Sequence, residues 1–287
     1  MKAEQLVRQI EFFGQKGQEL LSQSEVVIVG TGGVGSHVAQ QLAFLNIGSI
    51  TIIDGDTLED SNFNRLIGVN AKDTVSTSKV EIIARNIKAI NSDTRVNCIP
   101  KDLRTSGSFA AIKKAQFTFS CVDNDGARLV MNDLCLAYEI PFIDVASEIL
   151  PNQNEYGGHV ISVIDNTRCL FCLGEIDSNE ARRYLQHPDA RKDEAAIYGV
   201  DKIELKGGGP SVVSINGVVA SMAVTEFFLW RTGIREPNIA VKYLGSSGIV
   251  RRMSKHDSSD CYYCQAVRGL KESARVEEQY ILKDTEA

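Results

Sequence analysis

Gly30-Thr31-Gly32-Gly33-Val34-Gly35 lies directly between an apolar β-branched run, Val26–Val29, and a helical stretch over 36–46. Glycines at a strand-to-helix turn allow a sharp reversal and let phosphate oxygens approach backbone N–H groups at the helix N-terminus. Asp54 ends the next strand, Ser49–Ile53, 19 residues after Gly35, where a carboxylate accepts hydrogen bonds from ribose hydroxyls. A tight turn that binds nothing is the bland alternative, and the strand, helix and acid in register disfavour it. The loop points to a nucleotide. It does not by itself separate a dinucleotide from ATP.

The rest of the chain continues the alternation. Helices are expected around 77–90 and 107–115, and strands at Val96–Ile99 and Phe117–Val122. Continuous apolar strands separated by helices make a mainly parallel sheet covered on both faces, a Rossmann-like α/β fold. Residues 4–21 read as an amphipathic helix interrupted near Gly14 and Gly17, within an N-terminal helical segment 1–24. After Pro141 the texture changes, and Gly157–Ile164 reads as additional, antiparallel sheet. The charged stretch 173–209 offers little to bury and is expected to be a mobile crossover loop, followed by a long helix over 211–230. No repeat or Pro-rich linker interrupts 1–287, so a single domain is expected.

The segment after Asp54, Gly-Asp56-Thr-Leu-Glu-Asp-Ser61-Asn62-Phe-Asn64-Arg65, favours ATP over NAD. Chemistry at a triphosphate needs cations to neutralise the phosphoryl oxygens, whereas a nicotinamide enzyme does not need a cationic cluster beyond its pyrophosphate. Arg65 and Lys79 supply two cations and Asn62 a neutral donor; Asp56 belongs to the same candidate set. Cys121-Val-Asp123-Asn124-Asp-Gly-Ala-Arg128 ends the fourth strand at the sheet's carboxyl edge, where Asp123 can carry Mg²⁺ between phosphates and Asn124 lies beside it. Each has a dull reading. Arg65 and Lys79 could be solvated surface charges, and Asp123 an N-cap. Their joint placement after successive strands argues against coincidence.

Composition closes off other classes. Lys+Arg 31 against Asp+Glu 37 leaves a net charge of −6 without long like-charge blocks, which argues against gripping nucleic acid or an anionic membrane surface. The best candidate membrane run, Gly217–Trp230, is interrupted by Thr225 and Glu226. The charged N-terminus lacks a signal peptide's apolar core, so a cytoplasmic location is expected. His37, His159, His187 and His256 make no pattern with an acid or a nucleophile and read as structural or exposed.

Cys169-Leu-Phe-Cys172 and Cys261-Tyr-Tyr-Cys264 form two CxxC doublets with 88 residues between them. Four thiolates in two doublets suit a closed tetrahedral Zn²⁺ site, structural because no position is left for substrate. One doublet alone could be a redox pair, but two in a reducing compartment favour zinc. Cys98 and Cys121 fall in strands and Cys135 on an apolar helix face, where burial is the default.

GTGGVG, DGDxxxxSNxNR, Lys79 and CVDNxxxR, in this order, resemble the ThiF/MoeB/HesA family, relatives of the adenylation half of ubiquitin-activating enzymes. The likeness runs from Arg8-Gln9-Ile10 through GPSVVSINGVVASMAVTE (209–226) to the final cysteine pair. It implies adenylation, with ATP and Mg²⁺, of the C-terminal carboxylate of a small ubiquitin-like or sulfur-carrier protein, or a peptide. By the same resemblance Asp54 holds the ribose, Asn62, Arg65 and Lys79 the phosphates, and Asp123 the Mg²⁺, while Arg8 reaches into the partner subunit's site of a homodimer. Leu66 stands where the family commonly has glutamine. Several branches of the family carry the four-cysteine zinc site. Ubiquitin-activating enzymes and ThiF capture the acylated partner on a cysteine in or near the crossover loop; no cysteine lies between Cys172 and Cys261, so a thioester step is not expected. An NAD-dependent oxidoreductase and a non-catalytic subunit of a heterodimeric activating enzyme are the rivals. Arg65, Lys79 and Asp123 disfavour the first, and their retention alongside Arg8 disfavours the second.

Overall fold

The computed structural model describes residues 1–150, 154–164, 168–185, 209–253 and 260–282. The strands are β1 (Glu25–Val29), β2 (Ser49–Ile53), β3 (Arg95–Ile99), β4 (Phe117–Ser120), β5 (Phe142–Leu150), β6 (Glu155–Val163), β7 (Ala240–Leu244) and β8 (Ile249–Arg252). They form one sheet in the order β3-β2-β1-β4-β5-β6-β7-β8. The first five in that order run parallel and the last three antiparallel. The parallel half is the Rossmann arrangement, with its order reversing between β1 and β4. Ligands of such sheets bind in the crevice beyond the strands' carboxyl ends at that switch point.

The α-helices among the described residues are α1 (Ala3–Ser22), α2 (Gly33–Phe44), α3 (Lys79–Ile90), α4 (Ser106–Lys113), α5 (Asp125–Ala137), α6 (Ser178–Leu185), α7 (Val213–Arg231), α8 (Tyr262–Ala266) and α9 (Val276–Tyr280). Two apolar cores flank the sheet. One gathers Val38, Leu42, Ile83, Ala220 and Phe227 from α2, α3 and α7 against Ile28, Ile50 and Phe119. The other packs Phe109, Val130, Leu134 and Tyr280 from α4, α5 and α9 against Val27, Phe142 and Ile161. Leu66 is buried in the first core, where it serves packing.

Several expectations are refined. α2 begins at Gly33, three residues early, because its glycines stay helical under tight packing. Only Gly14 (φ 71°, ψ 165°) leaves helical geometry in α1; Gly17 stays helical. α7 is long and apolar enough to cross a membrane by length and composition, despite Thr225 and Glu226. It lies in the core, with Val219, Ala220, Ala223 and Phe227 fully buried, and Glu226 is bound by Arg235 and Asn238. Of the charged stretch 173–209, residues 173–185 are described and carry α6, whose Ala181 is buried against the second core. Residues 186–208, with His187, and residues 254–259, with His256, lie outside the described residues.

Candidate functional site

The glycine loop follows β1, Asp54 follows β2 and Asp123 follows β4, so three adjacent strands deliver the candidate residues to one edge. Gly30 adopts φ +84°, and a side chain there would lie 2.6 Å from the Cys121 carbonyl oxygen. A methyl at Gly35 would overlap the Gly30 carbonyl, and one at Gly33 the Asn216 side-chain amide. At Gly32 a side chain would meet nothing within 4 Å, so this corner of the turn is open. The N-cap of α2 is Gly32, which has no side chain to bond the first-turn N–H groups. An anion fits there.

Asp54 is tied into the loop. Thr31 donates to its Oδ2 through the backbone nitrogen at 2.6 Å and the hydroxyl at 2.8 Å, and the Asp56 nitrogen donates to Oδ1 at 2.9 Å. Each carboxylate oxygen accepts about two hydrogen bonds. One acceptance on Oδ1 is therefore left for a ribose hydroxyl.

Arg65 passes over the same turn. Its Cδ lies 3.6 Å from where a Gly33 Cβ would stand, and its guanidinium donates to the Ser61 carbonyl. The Ile67 nitrogen donates to Ser36 Oγ at 3.0 Å, docking this segment onto the first turn of α2. Asn62 is buried, its Oδ1 accepting from the Glu59 nitrogen at 3.1 Å. Lys79 opens α3 with its ammonium 2.7 Å from Asp56, the lysine almost wholly covered and the aspartate exposed.

At the end of β4, Asn124 caps α5 by accepting from the Ala127 nitrogen at 2.8 Å. Asp123 therefore has no capping role. It is exposed, and its carboxylate accepts from the Asn124 side-chain amide at 3.3 Å. A single accessible carboxylate beside a phosphate-binding turn is a donor set that fits Mg²⁺, which keeps waters and shares its shell with substrate phosphates.

Arg8 is not brought to this edge. The neighbouring Gln9 donates to the carbonyl of Phe44, at the opposite end of α2 from the glycine loop. Twelve residues at 1.5 Å each put it about 18 Å away, so exposed Arg8 cannot serve its own chain's loop. Two concavities among the described residues also lie elsewhere. One is lined by Ser24, Phe117, Trp230 and Arg231, the other by α4 and the faces of β1–β3.

Cys169, Cys172, Cys261 and Cys264 converge, with all four sulfurs within 4.8 Å of one another and pairs at 3.6 and 4.0 Å. A tetrahedron with Zn–S of 2.3 Å places sulfurs about 3.8 Å apart, which fits. Burial pushes the Cys98, Cys121 and Cys135 thiols up, so none is poised as a thiolate.

One reading of the histidines is corrected. His159 on β6 lies between two carboxylates, with Nε2 at 3.4 Å from Asp144 and Nδ1 at 3.5 Å from Glu175. Arg128, Thr31 and Asn216 also enter the neighbourhood of the loop and of α5. Thr31 and Arg128 stood inside the quoted motifs. Asp144 and His159 had no local signal, because sheet pairing alone makes them neighbours.

A family model described as the ThiF family matches residues 6–265. The chain is 33% identical over 255 residues to the adenylyltransferase and sulfurtransferase MOCS3-1 of Zea mays, covering 88% of this chain and 49% of that protein. It is 32% identical over 162 residues to the sulfur carrier protein ThiS adenylyltransferase of Bacillus subtilis, 56% and 46%. With the SAMP-activating enzyme E1 of Haloferax volcanii it shares 29% over 160 residues, 56% and 57%. The chain thus spans about half the length of the curated relatives it matches. Among solved structures, E. coli MccB with ATP superposes with a TM-score of 0.72 over 92% of this chain and 75% of that one, at 20% identity, a likeness of fold. By its sequence match and its Rossmann-like sheet, this chain belongs to the ThiF family.

Proposed function

We propose that the chain is an adenylyltransferase that uses ATP to form an acyl-adenylate on the C-terminal carboxylate of a small ubiquitin-like or sulfur-carrier protein, or of a peptide, releasing pyrophosphate. The observation that carries this is the placement of Arg65 over the Gly33 turn and of the exposed Asp123 carboxylate at the neighbouring strand end. A cation and a metal-binding carboxylate flanking a phosphate cradle match a triphosphate; a dinucleotide's pyrophosphate needs neither.

In this reading Asp54 accepts from the ribose, Arg65, Lys79 and Asn62 meet the phosphates, and Asp123 holds Mg²⁺. When bound there, Mg²⁺ supplies charge neutralisation between phosphate oxygens. A terminal carboxyl, with a pKa of roughly 3.5, is already an anion at neutral pH, so no general base is required. The chain's task is to bring two anions together, which cations accomplish. Arg8 would act on the partner subunit's site within a homodimer, consistent with its distance from its own loop and with exposed Val7, Phe12 and Phe44 beside it. The absence of a poised thiol supports adenylation with direct handover. The names of the relatives support a carrier-protein acceptor, and a cytoplasmic setting suits reduced cysteines.

The test is ATP–pyrophosphate exchange with candidate carrier proteins and C-terminal peptides, with mass spectrometry for an adenylated C-terminus. Calorimetry in which NAD binds more tightly than ATP would overturn the reading.

A further inference from the structure

The second core holds a row of charges that the proposed chemistry does not use. Asp144, on β5 and fully buried, accepts from Ser120 Oγ at 2.6 Å through Oδ1. Its Oδ2 faces Arg128 Nε at 3.4 Å and His159 Nε2 at 3.4 Å, which are ion-pair distances rather than hydrogen bonds. Burial pushes the Asp144 carboxyl up, and Arg128, His159 and Ser120 together more than reverse that, so it is held below the usual range.

Both arms lead to functional segments. Arg128 sits in the first turn of α5 and donates to Asp125 Oδ1 at 2.5 Å, directly behind the Asn124 cap and Asp123. His159 reaches Glu175 at the base of the crossover segment. The two segments also touch each other, the Asp177 nitrogen donating to Asp125 Oδ2 at 2.6 Å. One buried carboxylate thus links the turn presenting Asp123 with the start of the 173–209 segment.

We propose that Asp144 is a positioning residue that, through Arg128, fixes the turn carrying Asp123 and, through His159 and Glu175, holds the base of the crossover segment in register with it. Its consequence for metal and nucleotide rests on the adenylyltransferase reading; the positioning itself does not. The physical reason is that a buried carboxylate facing an arginine has few alternative arrangements, since displacement leaves its charge without a counter-ion in low dielectric.

The experiment is hydrogen–deuterium exchange on Asp144→Asn, a near-isosteric change that keeps an acceptor for Ser120. Amides of Ala127, Arg128 and Asp177 are expected to exchange at least tenfold faster, with those of α2 and α7 unchanged. His159→Gln should accelerate Asp177 and Ala181 while sparing Ala127. Mn²⁺·ATP binding, followed by electron paramagnetic resonance, should weaken roughly 10–100-fold in Asp144→Asn, as for lost outer-shell partners of a metal ligand. Unchanged local exchange in a folded Asp144→Asn protein would overturn the proposal. If that variant does not fold, Arg128→Lys decides the same point, and unchanged exchange at Ala127 in it overturns the proposal equally. Failure of the wild-type protein to bind Mn²⁺·ATP would remove the adenylation reading and leave the exchange result to judge the positioning.

Discussion

Asn124 closes the N-terminus of α5 by accepting the Ala127 N–H at 2.8 Å, so the adjacent Asp123 is not the cap of that helix. The two neighbours should therefore separate cleanly. Asn124→Ala removes the cap and should cost about 1 kcal/mol of stability, read by urea unfolding. Asp123→Ala should leave unfolding within about 0.5 kcal/mol of wild type yet abolish ATP–pyrophosphate exchange. Near wild-type exchange in Asp123→Ala would remove it from the site.

Lys79 holds its charge almost out of solvent, with Asp56 as its counter-ion at 2.7 Å. Lys79→Met should lower the exchange rate on the order of 10²–10³-fold, the loss typical of one preorganised charge partner. Asp56→Asn leaves the ammonium without its counter-ion, and ATP binding by calorimetry should then become more sensitive to salt. Equal rates in wild type and Lys79→Met would place Lys79 outside the chemistry.

Zinc should be present at one per chain by elemental analysis. The four sulfurs join the 169–172 turn to α8, elements 88 residues apart between doublets. Because the metal's binding free energy enters folding directly, Cys261→Ser should destabilise or aggregate the protein rather than merely slow it. A metal-free protein with an unchanged melting temperature defeats this.

Asp133, buried on α5, has its carboxyl raised from 3.8 to about 6 by burial, partly offset by bonds from Tyr280 and Asn132. Tyr280 donates to it at 2.5 Å from α9. The folded state thus holds this proton more tightly than the unfolded chain. The stabilisation is complete below about pH 4 and is lost as pH rises through about 6, by about 3 kcal/mol in all. Asp133→Asn keeps an acceptor for Tyr280 and removes the titration. Relative to this variant, wild-type stability in urea should fall between pH 4 and pH 7; parallel curves would refute the assignment.

Arg8 lies at the far end of α2 from its own glycine loop. Arg8→Ala and Asp123→Ala chains should each be inactive alone. Mixed after unfolding and refolding together, they should recover about a quarter of the wild-type sites, because a two-fold heterodimer contains one intact site of two. No recovery from a mixture shown to contain heterodimers would place Arg8 outside the partner's site.

Much of this was legible in the chain itself. Gly30 and Gly35 carry their own reason, since positive φ or close backbone approach is a local requirement that only glycine meets. β2 and the parallel half of the sheet follow from β-branched runs whose spacing is set by the helices between them. The two CxxC doublets suggested a metal site by composition, and the structure brings all four sulfurs within 4.8 Å of one another, a cluster that could hold zinc.

Other features needed tertiary structure. Asp123 and Asn124 are adjacent and equally suited to capping; only the backbone at the end of β4 decides which side chain turns inward. Arg8 carries no local mark of which end of α2 it will meet. His159 read as isolated because its partners Asp144 and Glu175 lie 15 and 16 residues away along the chain. Periodicity and turn chemistry report what a residue asks of its own backbone and whether its face is buried. They do not report which strand lies alongside. That is settled by the packing of β4, β5 and β6 into one sheet, which alone assembled the charges behind Asp123.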